Sequence, residues 1–271
     1  RPLYIATVET PKDTSAMFKD HWRNKVESGS KMFVWTSSQK ATSSNSPQNL
    51  AQLHERWKPD DKICVIDSST PELSAQLAND PDGFAEQYDT IYASPSISSG
   101  ISFQRWKPDC VFVFSGGHIG PERAAQACAR VRNKEVPAFV FAPCQSPGGG
   151  LSVGAGSSKP RDLINHLERA TDPLFGQLED AGDAWLMGWG EMAATRNRQR
   201  FAYGQTIVEL LKLEGWTVAG EYELEHQQQG KDVKDDISEL IQSHEKAHAK
   251  SLAKAPIIAA HEARELKKRR K

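Results

Sequence analysis

The chain has 271 residues, enough for a buried core in one large or two medium domains. Its 34 Lys and Arg offset 35 Asp and Glu to leave a formal charge of -1, so no global basic field advertises nucleic acid and only local patches can do so. Four cysteines without CxxC spacing read as reduced structural thiols, and no apolar run reaches the roughly 18 residues of a membrane span. The expectation is a soluble, cytoplasmic chain with no membrane partner, and a first residue that is Arg rather than Met suggests a piece of a longer protein.

Apolar runs rich in β-branched and aromatic residues recur at Leu3–Val8, Met32–Ser37, Ile63–Ser68, Thr90–Pro95, Val111–Gly116 and Ala138–Pro143. They are continuously apolar rather than alternating, which predicts strands covered on both faces of a parallel sheet. Helix-compatible segments at Lys12–Glu27, Gln48–Trp57, Pro71–Ala78 and Pro121–Arg132 lie between most of them, the βα alternation of a layered α/β domain. The pentapeptide RWKPD occurs at Arg56–Asp60 and Arg105–Asp109, each time ahead of a strand, and a Pro turn feeding that strand accounts for both.

After Pro143 the texture changes. A Gly/Ser-rich loop or linker is expected over 145–160, separating a domain at 1–144 from a mainly helical region at 161–271. Within that region Ala193–Trp216 reads as a helix with Phe201, Ile207, Val208, Leu211 and Leu213 near one face and Gly215 as its stop. Thr217–His226 reads as a short strand, and 232–267 as charged helices broken at Pro256. The terminal run Glu265–Lys271 is basic.

Two motifs invite chemistry and lack its context. Gly154–Lys159 is followed by Pro160 and does not supply the GxxxxGK[ST] of a nucleotide P-loop, so this chain is not expected to hydrolyse nucleotide by itself. His244–His248, HEKAH, fits the HExxH pattern of zinc hydrolases, but its surroundings read as a solvated charged helix and no third ligand is evident, so no metal residue is assigned. No Ser-His-Asp or Cys-His arrangement can be built, and His118 and His166 read as structural or surface groups.

The stretch from Ala93 to Asn133 is different. Lys31–Ala41 (KMFVWTSSQKA), Tyr88–Phe103 (YDTIYASPSISSGISF) and Glu122–Asn133 (ERAAQACARVRN) occur in the order of helicase motifs IV, V and VI. They resemble the second RecA-like domain of superfamily 2 helicases, and look most like herpesvirus origin-binding proteins and the helicase-bearing replication proteins of cyanobacterial plasmids. The downstream RFAYGQTIVELLKLEGWTV and KAPIIAAHEARELKK are similar to the helical tail of the plasmid family.

The resemblance implies a RecA-like parallel sheet sandwiched by helices and a bacterial, cytoplasmic, ATP-dependent DNA helicase of plasmid or phage-type replication. ATP with Mg2+ would be bound mainly by a first RecA-like domain outside this chain, which would be a partner along with single-stranded or origin DNA. Arg130 and Arg132 would be sensor and finger for the γ-phosphate, a role suited to a permanently charged bidentate fork. Gln126, Gly100 and Ser102 would serve the nucleotide. Thr36, Ser37, Ser94, Ser96 and Ser98 would contact DNA phosphates, with Ser99 beside them. The common QxxGRxxR pattern is altered, with Ala129 in place of Gly and Asn133 at the usual second arginine, so either arginine can be the finger. Two alternatives stay open: a non-catalytic nucleic-acid-binding replication module and the zinc hydrolase.

Overall fold

The computed structural model describes residues 1–6, 11–40, 42–97, 100–147, 152–171, 182–221 and 229–254. In chain order the first part comprises β1 (Pro2–Ala6), α1 (Pro11–Glu27), β2 (Met32–Thr36), α2 (Pro47–Trp57), β3 (Ile63–Ile66), α3 (Pro71–Asn79) and α4 (Pro81–Ala85). It continues through β4 (Thr90–Ala93), β5 (Cys110–Phe114), α5 (Pro121–Cys128) and β6 (Ala138–Phe141). The remainder is α6 (Pro160–Thr171), α7 (Gly182–Phe201), α8 (Tyr203–Leu213), β7 (Thr217–Glu221) and α9 (Gln229–Lys254).

Seven strands form one parallel sheet in the order β3-β4-β2-β5-β6-β1-β7. The first two crossovers run toward the β3 edge and the later ones back toward β7, so right-handed connections place helices on opposite faces. The expected α/β architecture, a parallel sheet between helices with a mainly helical C-terminal region, is what the chain adopts.

Each strand sends alternate side chains to chemically different faces. Val111, Val113, Ala138 and Val140 join a largely aliphatic core with Leu77, Phe84, Ala124 and Ile207 under α3, α4, α5 and α8. Phe112, Phe114, Phe139 and Phe141 point the other way, against Phe18 and Trp22 of α1, Leu50 and Leu53 of α2, and Ile237 of α9. Phe18 meets Phe114 edge to face at 5.0 Å between ring centres.

Three helix readings are corrected. The helix expected over Pro121–Arg132 stops at Cys128, because Val131 pairs with Phe103 in an isolated parallel bridge. Both arginines therefore follow the helix rather than ending it. The helix expected over Ala193–Trp216 is broken at Ala202, where the chain turns so that Tyr203 is buried with its hydroxyl 2.7 Å from Ser115 Oγ. Phe201 and Leu213 do not join Ile207 and Leu211 in the core and are exposed, 50% and 85% respectively. Gly215 does stop α8, at a φ of 84° that suits glycine.

The C-terminal residues are built into the layers. β7 extends the sheet beside β1, α8 packs on α5, and α9 packs on α1 and α2. The Gly/Ser-rich segment is fastened from Ser152 onward, since the Asn197 side chain on α7 accepts from Val153 N–H and donates to the carbonyls of Val153 and Ser157. Pro256 and the basic run Glu265–Lys271 lie outside the described residues.

Candidate functional site

Two neighbouring-strand crevices arise where successive connections leave the sheet on opposite faces, and β2, between β4 and β5, marks one of them. At its carboxyl end Ser37 N–H donates to Phe114 O at 2.9 Å, and Ser37 Oγ accepts from Gly116 N–H at 2.7 Å. Thr36 is buried and its hydroxyl donates to Ser38 O at 3.0 Å. Ser94, buried at the end of β4, accepts from Gln39 Nε2 at 2.9 Å and lies 2.8 Å from Ser96 Oγ. Gln39 in turn accepts from Ser68 Oγ at 3.0 Å. Of the expected DNA contacts, Ser96 is exposed, whereas Thr36 and Ser94 are buried; Ser98 and Ser99 lie outside the described residues.

The connection from β4 to β5 crosses the sheet face without a helix. Its Phe103 is buried, and its backbone forms a short ladder with the segment after α5: Phe103 N–H to Arg130 O and Arg132 N–H to Phe103 O, each 2.8 Å. This ladder brings the two expected nucleotide segments side by side. The Arg130 guanidinium donates to Ile101 O at 2.9 Å and Ile97 O at 3.3 Å, tying down the loop that begins at Ser94. Burial, and then the charge of Arg123, pull the Arg130 pKa below its ordinary value.

Gly100, Gln126, Arg130 and Arg132 all line one cleft of about 640 Å3. Arg132 and Gln126 are exposed, and Gly100 adopts a φ of 103° that a side chain would strain. Ser102 is not among the lining residues; its hydroxyl accepts from Gln104 Nε2 at 3.0 Å.

The cleft also contains Arg1, Lys134, Glu214 and Trp216, which the sequence reading missed. Arg1 stacks over the Trp216 ring at 4.7 Å and donates to Val131 O at 2.8 Å. Its pKa is lowered by burial and then by Arg132. The only signal for these residues is that Arg1 and Trp216 each precede a strand, and those two strands prove to be neighbours.

Three arginines and a lysine against one glutamate make the cleft cationic, and its exposed guanidinium, that of Arg132, is a fork suited to phosphate oxygens. It fits the phosphate part of ATP with Mg2+. Glu214, the one carboxylate among the lining residues, is too little to hold the metal by itself.

His244 lies on α9, and the side chain of its motif partner His248 is outside those described. Among the described residues no group of three or more His, Cys, Asp or Glu gathers around a metal-sized position. Cys64, Cys110 and Cys128 are buried, and burial pushes the Cys64 and Cys110 thiols up to about 11 and about 12. Cys144 is exposed. No helix among the described residues is long and apolar enough to cross a membrane.

No family model matches the chain. It is 27% identical over 231 residues to an uncharacterized protein of Picosynechococcus sp., an alignment that covers 80% of this chain and 22% of that protein. The chain thus spans about a fifth of the length of the curated relative it matches. Among solved structures it is similar to the Mss116p DEAD-box helicase domain 2 bound to an RNA duplex, with 12% identity and a TM-score of 0.36 over 63% of this chain and 59% of that one.

Proposed function

We propose that this chain is the second RecA-like domain of an ATP-dependent DNA helicase acting in plasmid or phage-type replication in a bacterial cytoplasm. The observation that carries the reading is the convergence of Gly100, Gln126, Arg130 and Arg132, drawn from two separate segments, on one cationic cleft. An upstream RecA-like domain with its own P-loop would close over that cleft.

In this reading the two arginines divide the work. Arg132 is exposed and reaches the γ-phosphate as the finger, while Arg130, bonded to the Ile97 and Ile101 carbonyls, is the positioning residue. ATP with Mg2+ supplies the phosphoryl group whose spreading negative charge the guanidinium stabilises. The loop held by Arg130 starts at Ser94 and Ser96 on the carboxyl edge, so one short segment touches both the nucleotide side and the side where a single DNA strand would lie. Movement of the loop on cleft closure would shift the strand contacts. Binding through phosphates is expected to be salt-sensitive and indifferent to sequence.

The test is ATP hydrolysis with and without single-stranded DNA, by the full-length protein and by the 271-residue chain. The full-length protein alone should hydrolyse ATP, stimulated by DNA, and an Arg130→Ala/Arg132→Ala double variant should not. Normal stimulated hydrolysis by that variant overturns the reading. DNA binding without hydrolysis by the full-length protein, or a full-length sequence lacking an upstream GK[ST] loop, would instead favour a non-catalytic replication module.

A further inference from the structure

Four of the six large apolar side chains exposed among the described residues, Trp185, Met187, Met192 and Phe201, belong to α7. On a helix turning about 100° per residue, Trp185, Met192 and Arg196 fall within an arc of about 40°, and Gln199 and Arg200 flank it one turn further on. The opposite margin is buried, with Ala193 and Ala194 packed beside Leu163 of α6. Gly188, on the edge of the stripe, has open space where a side chain would be.

The end of this stripe is bolted to the carboxyl edge of the sheet. Ser146 N–H donates to Arg200 O at 2.9 Å and Ser146 Oγ to Gly117 O at 2.6 Å, while the adjacent Gly116 N–H donates to Ser37 Oγ at 2.7 Å. Beside this bolt a pocket of about 250 Å3 is lined by Arg196, Gln199, Arg200, Ser152, Gly120 and Glu122. The Glu122 carboxylate folds back against Gly120, at the start of its own helix, where it offsets the helix dipole. Glu191 pairs at 3.9 Å with Arg198 rather than with Arg196.

We propose that α7 is a rail for single-stranded nucleic acid, continuing the track that crosses the carboxyl edge at Ser37. Arg196 and Arg200 hold phosphates in and beside the pocket, and Trp185 and Met192 offer flat or soft apolar surface to bases about three positions apart. This rests on the reading that a strand crosses that edge. One exposed ring and a methionine at one end and two guanidinium groups at the other, with no acid between them on the described stripe, match a polyanion with stacking bases. From Trp185 to Arg200 the helix rises about 22 Å, the length of roughly six stacked nucleotides.

The experiment is fluorescence anisotropy of labelled oligo-dT, of six and of eighteen nucleotides, titrated with the 271-residue chain over a salt series. The wild type should bind the long probe more tightly than the short one. Trp185→Ala and Arg196→Ser should each lose about tenfold on the long probe and less on the short one, which can bind at the sheet edge alone. Arg196→Ser should also lower the slope of log affinity against log salt by about 0.7, and Trp185→Phe, which keeps a ring, should restore affinity. Circular dichroism melts confirm that each variant is folded, which the exposure of both positions favours. Unchanged affinities for both probes overturn the rail while leaving the sheet-edge reading intact. Absence of any binding by the wild type overturns both. Loss of self-association in Trp185→Ala, with DNA affinity kept, assigns the stripe to protein contact and overturns the rail.

Discussion

At the carboxyl edge of the sheet the hydroxyls of Thr36, Ser37 and Ser94 are buried and already engaged with Ser38, Gly116 and Gln39, whereas in the cleft beyond α5 the side chains of Arg132 and Gln126 stand exposed. The edge therefore shapes a surface from within, and the cleft presents groups outward. The same division runs through the arginine pair, because Arg130 is turned inward onto two carbonyls and Arg132 is not. Membership of a phosphate-binding pattern does not say whether a side chain touches the phosphate or holds the backbone that does.

The largest expected effect lies on the presenting side. Arg132→Ala in the full-length protein should lower DNA-stimulated ATP hydrolysis by about 10³-fold and leave the melting temperature of the chain unchanged; unaltered turnover would move Arg132 out of the finger role. Arg130→Ala should reverse that pattern, costing about 2–3 kcal/mol in denaturant unfolding as its charge-assisted bonds to Ile97 and Ile101 are lost. Equal stability of the two variants would erase the distinction between them.

Ser37→Ala tests the edge in the same way. It leaves the Gly116 N–H without its acceptor and should cost about 1–2 kcal/mol, with DNA affinity following only through that loss. A control belongs to neither region: Lys19 on α1 is buried, and burial pushes its pKa from 10.5 down to about 7. Between those values the unfolded chain binds the extra proton, so this group makes stability rise with pH, by up to about 1.4 kcal/mol per unit. Thermal melts from pH 7 to 10 should show that rise, and Lys19→Met should flatten it while leaving the difference between the Arg130 and Arg132 variants in place. The smallest effect is expected at Ser96, which is exposed; Ser96→Ala should change oligonucleotide affinity by less than about twofold, and a larger loss would make the edge a presenting surface after all.

Six strands were legible because each is a run of apolar residues that only burial on both faces explains, and β7 could be read as a short strand near Thr217. Its place beside β1 could not, since nothing local relates residues at opposite ends of the described chain. That one pairing brings Arg1, Glu214 and Trp216 to the cleft and explains why these lining residues were invisible. The end of α5 was misread for a related reason: Ala-Arg-Val-Arg favours continuing the helix locally, and the bridge from Val131 to Phe103 overrides it. The short α4 escaped notice because it has five residues and is set by Asp80, whose side chain accepts from Gly83 N–H. By contrast Gly100, Gln126, Arg130 and Arg132 were grouped by the resemblance to helicase motifs rather than by local pattern, and the fold brings all four to one cleft.

The pairing of β1 with β7 also has a temporal side. During synthesis β1 emerges well before β7, and its outer row of backbone donors and acceptors stays open until Thr217–Glu221 leave the ribosome. Until then a nascent chain carries an unpaired parallel edge, and the cleft lacks the wall that Glu214 and Trp216 supply. The register shift between Leu3 and Tyr4 bends the closing strand, so that once β7 is in place the finished sheet offers a twisted border on which a second chain finds poor purchase.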